Sequence, residues 1–332
     1  MMISILMPAR DAEGTLDACL RSVLRQSEPR WECVVVDDGS RDGTAGLAEG
    51  FAARDPRFRV IRTEHRGIVG ALNAGLEHCR GRYVARMDAD DLMHRRRLEL
   101  QVDALERDSG LTGVGCHVRC FPRSELGEGM RSYERWLNAI DSEDALRREA
   151  FVECPVAHPA LMIRRDILLE LGYRDPGWPE DYDLLLRLLK AGKRISAVPR
   201  RLLSWRVARG SLSRNDPAYG QERFIECKAA FLAGGFLASS SEYILWGYGS
   251  TGRKLARALL EHDKRPSWIV EIHPGRIGNR ILGVEVIPPE RLPTVRRVPI
   301  VASVAGLEPR RQIRDALQNM GFRELDDFVC AA

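Results

Sequence analysis

Tyr83-Val84-Ala85-Arg86-Met87-Asp88-Ala89-Asp90-Asp91 is the stretch that decides the fold: a short β-forming run that ends on three carboxylates within four residues. A run without polar alternation fits a strand covered on both faces, as in a parallel sheet. Carboxylates at its end fall where an open α/β sheet presents groups to ligands.

The same rhythm repeats on either side of this segment. Ile3 to Met7 is a β-forming run stopped by Pro8, Trp31 to Val36 is a second ending in Asp37-Asp38-Gly39-Ser40, and Arg59 to Arg62 is a third, shorter one. Helical patterns lie between them. Leu16, Leu20, Val23 and Leu24 form an i, i+4, i+7, i+8 stripe, with Asp11 or Thr15 as its cap. Further helices are expected at Thr44 to Ala53, at Ile68 to Cys79 before Gly81, and from about His94. Strand, helix, strand with short turns predicts an α/β architecture: a mostly parallel sheet flanked by helices.

Beyond Leu111 the pattern is mixed. Residues Pro122 to Glu149 read as a polar insertion with one or two helices; a strand is expected at Ala160 to Ile163 and a helix at Tyr182 to Ala191. Two short strands, Ile195 to Val198 and Leu202 to Val207, and a helix at Phe224 to Leu232 follow. The Gly/Ser-rich stretch from Gly234 to Ser241 reads as a linker, which divides the chain into domains 1–236 and 237–332.

Composition sets the outer limits. The 332 residues suffice for two cored domains, and 44% apolar with 30% charged residues is ordinary for a globular protein. A net charge of +4 from 51 basic and 47 acidic residues gives no electrostatic reason to expect nucleic acid. No apolar run is long enough to span a bilayer and no secretory signal is recognised, so a cytoplasmic location is expected, with peripheral contact at the inner membrane face left open. The eight cysteines are scattered and are read as buried, reduced thiols.

Three acidic clusters carry the chemistry: Asp37-Asp38, Asp88-Ala89-Asp90-Asp91, and Glu180-Asp181 at a helix start after Pro-Gly-Trp-Pro. Asp88 and Asp90, two apart in a turn, can converge on one hard cation such as Mg²⁺ or Mn²⁺, an ion commonly shared with substrate phosphates. Such an ion takes up charge on a departing diphosphate.

The segments Ser4-Ile5-Leu6-Met7-Pro8, Val34-Val35-Val36-Asp37-Asp38-Gly39-Ser40, Ala71-Leu72-Asn73-Ala74-Gly75, Arg86-Met87-Asp88-Ala89-Asp90-Asp91, His158-Pro159-Ala160 and Glu180-Asp181-Tyr182-Asp183 stand in the order seen in the family 2 glycosyltransferases of the GT-A fold, which the chain resembles from residue 3 to about 215. The resemblance implies inverting transfer of a sugar from a UDP-, dTDP- or GDP-linked donor to an acceptor hydroxyl, in polysaccharide or glycan synthesis. It implies that Asp38 accepts a hydrogen bond from the donor base, bordered by Pro8, Ala9 and Arg10. Asp88, with Ala89 beside it, would face the ribose and the metal shell, Asp90 would ligate Mn²⁺ or Mg²⁺, and Asp91 would cap a helix or support the site. Arg86, on the strand face of Asp88, would meet the diphosphate. Asp181 would be the general base, with Glu180, His158 and Trp178 on the acceptor side. Arg206 and Ser211 to Ser213 would form a late loop over the donor, although Ala208 stands where many relatives have histidine. Arg95-Arg96-Arg97 reads as a solvated helix face. The acceptor (a glycan, a lipid-linked saccharide or a small molecule) and any homo-oligomer stay open.

In the C-terminal part, Gly247-x-Gly249-x-x-Gly252 lies between a strand and a helix, and Glu271 ends the next strand, as in a dinucleotide fingerprint. This part resembles a small Rossmann-like domain used for docking, dimerisation or nucleotide sensing. Two alternatives stand beside the transferase reading: an NAD(P)-dependent sugar or sugar-nucleotide oxidoreductase centred on these glycines, and a non-catalytic sugar-nucleotide sensor.

Overall fold

The computed structural model describes residues 2–207, 216–295 and 297–332. Packing divides the chain into two compact units: Met1–Leu146 with Pro155–Pro176 and Asp183–Ser211, and Arg147–Cys154 with Gly177–Tyr182 and Leu212–Ala332.

In the first unit, β1 (Ile3–Ala9), β2 (Trp31–Asp38), β3 (Phe58–Thr63) and β4 (Tyr83–Arg86) alternate with α1 (Glu13–Leu24), α2 (Thr44–Arg54) and α3 (Gly67–His78). There follow β5 (Leu92–Met93), α4 (Arg97–Arg107), β6 (Leu111–Phe121), α5 (Glu128–Leu137), α6 (Glu143–Glu149), β7 (Met162–Arg164), α7 (Arg165–Leu171), α8 (Glu180–Lys190) and β8 (Arg194–Arg206); α6 and α8 run across the division between the units. The eight strands form one sheet in the order β3-β2-β1-β4-β7-β6-β8-β5. Leu6 lies opposite Val34 on one side and Arg86 on the other, both pairings parallel. The order reverses between β1 and β4, which makes the carboxyl ends of β1, β2 and β4 the crevice of the sheet.

The core explains the pattern. Cys33, Val34, Val35 and Val36 are fully buried, as are Leu16, Leu20 and Val23 on the inward stripe of α1. Burial of each such leucine contributes roughly 1.5–3 kcal/mol. Leu24, at the edge of the stripe, is exposed.

Two strands differ from expectation. β6 is a continuous strand where the sequence looks mixed, because Gly113, Gly115, His117 and Arg119 mask its alternation. β8 is one strand rather than two. Pro199, Arg200 and Arg201 read as a turn, but Val198 pairs with Cys116 and Arg201 with His117, so the extra residues are taken up as a bulge. α4 starts at Arg97 rather than near His94, since Leu92–Met93 pairs with β8 first.

The second unit contains α9 (Gln221–Ala233), β9 (Glu242–Trp246), α10 (Ser250–Leu260), β10 (Arg265–Val270), β11 (Arg280–Ile281), β12 (Val284–Ile287), β13 (Ile300–Ala302), α11 (Leu307–Asn319) and β14 (Phe328–Cys330). Its sheet runs β11-β12-β10-β9-β13-β14, parallel throughout except at β11. The expected division at residue 237 falls inside this unit. Ile225, Ala229 and Leu232 of α9 share a core with Leu245, Leu255 and Leu259, so that helix packs with the C-terminal sheet. Residues 147–154 join it too: Lys228 Nζ donates to the carbonyls of Val152 (3.0 Å) and Ala331 (2.9 Å). Among the described residues no helix is long and apolar enough to cross a membrane.

Candidate active site

The crevice is built first by the loop after β2. Gly39 takes a positive φ of 68°, and a Cβ there would lie 2.8 Å from the His65 nitrogen, so only glycine allows this approach. Asp38 beside it is buried, and its carboxylate is filled by protein donors. Oδ1 accepts from Arg66 N (2.7 Å) and Thr63 Oγ1 (3.3 Å); Oδ2 accepts from Gly67 N (3.0 Å) and pairs with His65 Nδ1 (2.8 Å). The carboxylate thereby anchors the start of α3. Arg10 donates to His65 Nε2 at 2.6 Å, which sets the tautomer with a proton on Nδ1. Arg10 itself is exposed, while Pro8 and Ala9 are buried in β1. Asp38 is thus occupied within the protein, and Arg10 is the group of this loop pair that faces outward.

The turn after β4 is fixed from behind. Cys19 Sγ donates to Asp88 O (3.2 Å) and Thr15 Oγ1 to Ala89 O (3.2 Å), so two carbonyls of the turn are tied to α1. Arg86 is buried and pairs with Asp88, whose side chain is partly exposed. Asp91 is fully buried. Its Oδ1 accepts the Arg206 N–H at 2.6 Å, and Arg206 Nε donates to Asp90 O at 2.8 Å, with the guanidinium 4.5 Å above the Phe121 ring. Asp91 therefore ties the turn to β8 and does not cap a helix. Burial, reinforced by the charge of Asp88, pushes the Asp90 carboxyl up to about 6. Burial, then Asp88 and Asp90, raises Asp91 well above the carboxylate range.

This donor set fits a divalent cation. Asp88 and Asp90 bring two carboxylates to one turn, with the charge of Asp88 acting on Asp90, and Asp91 Oδ2 is buried without a hydrogen-bond partner among the described residues. No group of three or more His, Cys, Asp or Glu gathers into a cage among the described residues. Two carboxylates completed by substrate phosphates are the usual arrangement for Mg²⁺.

Beneath the turn, Arg97 is fully buried rather than solvated. Its NH2 donates to Arg86 O (2.9 Å) and its Nε to Gln101 Oε1 (2.9 Å), and Gln101 Nε2 donates to Val114 O (3.0 Å) and Ala160 O (2.8 Å). Sequence reading missed this network and His65. The available signal was the i, i+4 spacing of Arg97 and Gln101 on the face of Leu98, Val102 and Leu105.

The remaining expected residues are distributed as follows. His158 is buried against Tyr173, with Nε2 3.3 Å from the tyrosine hydroxyl. Trp178, Glu180 and Asp181 belong to the second unit. Asp181 is half-buried at the start of α8, where its Oδ1 accepts the Tyr182 N–H (2.7 Å), and the buried Glu180 accepts from the Tyr219 hydroxyl. Asp183 is clamped by Arg174 (2.7 Å) and Arg187 (2.6 Å), a structural role. Ala208 and Ser211 to Ser213 lie outside the described residues.

In the second unit the glycine turn is explained by packing. Gly247 has φ 93°, and a Cβ on Gly252 would lie 2.0 Å from Gly247 O. Glu271 Oε1 accepts from Tyr248 N (2.8 Å) and Arg276 NH1 (2.9 Å), so it braces the turn.

Comparison with known proteins bears on this geometry. Residues 4–172, half the chain, match the family model described as glycosyl transferase family 2. An Escherichia coli protein described as UDP-Glc:alpha-D-GlcNAc-diphosphoundecaprenol beta-1,3-glucosyltransferase WfgD is 35% identical over 217 residues, which is 64% of this chain and 80% of that one. Other curated relatives are spanned over 65 to 82% of their length. Among solved structures, S. aureus TarS with UDP-GlcNAc superimposes with a TM-score of 0.56 at 16% identity, over 79% of this chain and 72% of that one. The Pyrobaculum calidifontis mannosyltransferase with GDP-Man and Mn²⁺ gives 0.53 at 22% identity, over 79% and 68%. These likenesses show the fold.

Proposed function

The chain belongs to glycosyl transferase family 2 and is a glycosyltransferase, and from that premise we propose that it moves a sugar from a nucleoside-diphosphate donor to an acceptor hydroxyl with inversion, in cell-surface polysaccharide synthesis. The observation that carries the reading is the turn after β4: it sets the carboxylates of Asp88 and Asp90 two residues apart at the switch point, while Arg86, Arg206 and the α1 side chains hold it still. The E. coli relative, whose description names a UDP-glucose donor and a diphosphate-linked acceptor, supports a UDP-sugar as first candidate.

Bound Mn²⁺ or Mg²⁺ would be held by Asp90 and Asp88 and would neutralise charge on the departing diphosphate. Arg10, fixed by His65, supplies a planar cation for the face of the nucleobase. Asp38 serves this by holding the His65 to Gly67 loop. Asp181 takes the proton of the acceptor hydroxyl as its oxygen bonds to the anomeric carbon. The bond from that carbon to the diphosphate oxygen breaks on the opposite side, and the oxygen leaves with the electron pair. Asp181 stands at the start of α8, where the helix N-terminus favours a carboxylate.

Thermal-shift screening of UDP-, dTDP- and GDP-sugars with Mn²⁺ identifies the donor. With that donor, Asp181→Asn is expected to keep donor affinity and to lower turnover by about 10²–10⁴-fold. Full turnover in this variant sinks the assignment of the base.

A further inference from the structure

Between α5 and β8 the first unit carries a cavity of about 180 Å³ lined by Arg123, Arg131, Glu134, Arg135, Asn138 and Arg201. Four guanidiniums therefore face one carboxylate. The buried Glu134 pairs with Arg123, and Arg135 is drawn to Glu128 at 2.6 Å. Arg131 donates only to neutral carbonyls, Leu126 O at 3.1 Å and Arg123 O at 3.2 Å. Among the described residues neither Arg131 nor Arg201 has a carboxylate within ion-pair distance. Asn138 is consumed by the backbone of Val118, accepting and donating at 2.8 Å, so it forms a floor rather than a binding group.

Two guanidiniums without counter-charge in one cavity repel each other, and an anion bridging them removes that cost. Their planar forks match phosphate oxygens, and two cations suit a group carrying two charges. The position is informative as well. Arg123 lies two residues beyond Phe121, whose ring underlies Arg206, and Arg206 holds the Asp90 carbonyl. Along β8, Arg201 precedes Arg206 by five residues, about 16 Å of strand. The cavity is thus linked to the Asp90 turn through Phe121 and Arg206 and lies along β8 from it.

We infer that this cavity binds the phosphate or diphosphate group of a phosphorylated acceptor, an inference that rests on the transferase reading above. The site holds that group by Arg131 and Arg201, with Arg123 and Arg135 at its rim, and leaves the acceptor's sugar to extend toward Arg206.

The test titrates the full chain calorimetrically with inorganic pyrophosphate in metal-free buffer, and separately with UDP plus Mn²⁺. In Arg131→Gln/Arg201→Gln, pyrophosphate affinity is expected to fall by about tenfold or more while UDP affinity stays unchanged. Arg131→Lys/Arg201→Lys should retain part of the affinity, and exposed Arg201→Gln alone gives a partial loss should the double variant fold poorly. Arg95→Gln/Arg107→Gln removes the same charge around α4 and should leave pyrophosphate binding intact. Equal pyrophosphate affinity in the wild type and the Gln pair overturns the inference, as does an equal loss in the α4 control. Sedimentation with phosphatidylglycerol vesicles separates the sources: dependence on the two arginines for vesicles but not for pyrophosphate assigns them to a lipid surface and overturns it too. Failure of the wild type to bind any nucleotide with Mn²⁺ would sink the transferase reading and leave the pyrophosphate result standing.

Discussion

Replacing Asp38 by asparagine tests whether this carboxylate holds the crevice together or reads the donor. The present geometry supplies four donors to its two oxygens: Arg66 N, Thr63 Oγ1, Gly67 N and His65 Nδ1. In Asp38→Asn one oxygen becomes an NH₂ group. With the amide oxygen kept toward Arg66 and Thr63, the NH₂ opposes Gly67 N–H, a partly buried donor left without an acceptor. His65 can accept from the NH₂ only by moving its proton to Nε2, where it meets the Arg10 guanidinium now 2.6 Å away. The conflict is passed along rather than removed. An unsatisfied buried donor costs about 1–3 kcal/mol, and loss of a negative charge at the start of α3 adds about 0.3–1 kcal/mol. The sum, about 1–4 kcal/mol, corresponds to a fall in Tm of roughly 3–15 °C for a unit of this size. Differential scanning fluorimetry reads it, alongside donor affinity by calorimetry. An unchanged Tm with donor affinity reduced tenfold would refute the reasoning and return Asp38 to direct contact with the base.

Three further outcomes follow from other contacts. Asp90→Asn is expected to abolish the dependence of donor binding on Mn²⁺ and to lower turnover at least as far as chelation does; titration of donor with and without metal checks it. Gly252→Ala places a Cβ 2.0 Å from Gly247 O, so α10 must shift, at a cost of about 1–3 kcal/mol visible as a lower urea midpoint. Lys228 in the second unit is pushed down to about 8 by burial, with the nearby Glu153 only partly compensating. Its folded value lies below the unfolded one, so the unfolded chain binds more protons between about pH 8 and 10.5 and stability rises with pH across that window, by about 3 kcal/mol. Urea midpoints at pH 7.5 and 10 should show this rise, and Lys228→Met should flatten it.

Legibility in the sequence followed local chemistry. The parallel strands β1, β2 and β4 were readable because they are buried on both faces and, apart from Glu32 in β2, carry apolar or small residues until they end. β6 and β8 were not, because a strand that bulges around Pro199 and faces polar residues on one side keeps no simple period. The division at the Gly/Ser stretch was drawn from composition, whereas packing follows buried area: Ile225, Ala229 and Leu232 point α9 toward the C-terminal core, and nothing in a linker's composition records which side a preceding helix chooses.

The acidic clusters were conspicuous, but the charges that position them were not, and the reason is physical. A carboxylate at a strand end announces itself by breaking an apolar run. Arg97 breaks nothing, since an arginine at a helix start between Arg96 and Leu98 resembles any solvated cation. Yet it is fully buried, and its guanidinium reaches the carbonyl of Arg86 at the strand end that leads into Asp88. Burial lowers the pKa of Arg97, so the fold carries an unfavourable desolvation that neutral residues would avoid. Removing the cation alone would leave Arg86 O and Gln101 Oε1 without donors, and moving either would move the turn that bears Asp88 and Asp90. The support of a metal turn is thus written in contacts between residues far apart in sequence, which is why Asp91 and Arg206, 115 positions apart, could be named but not joined.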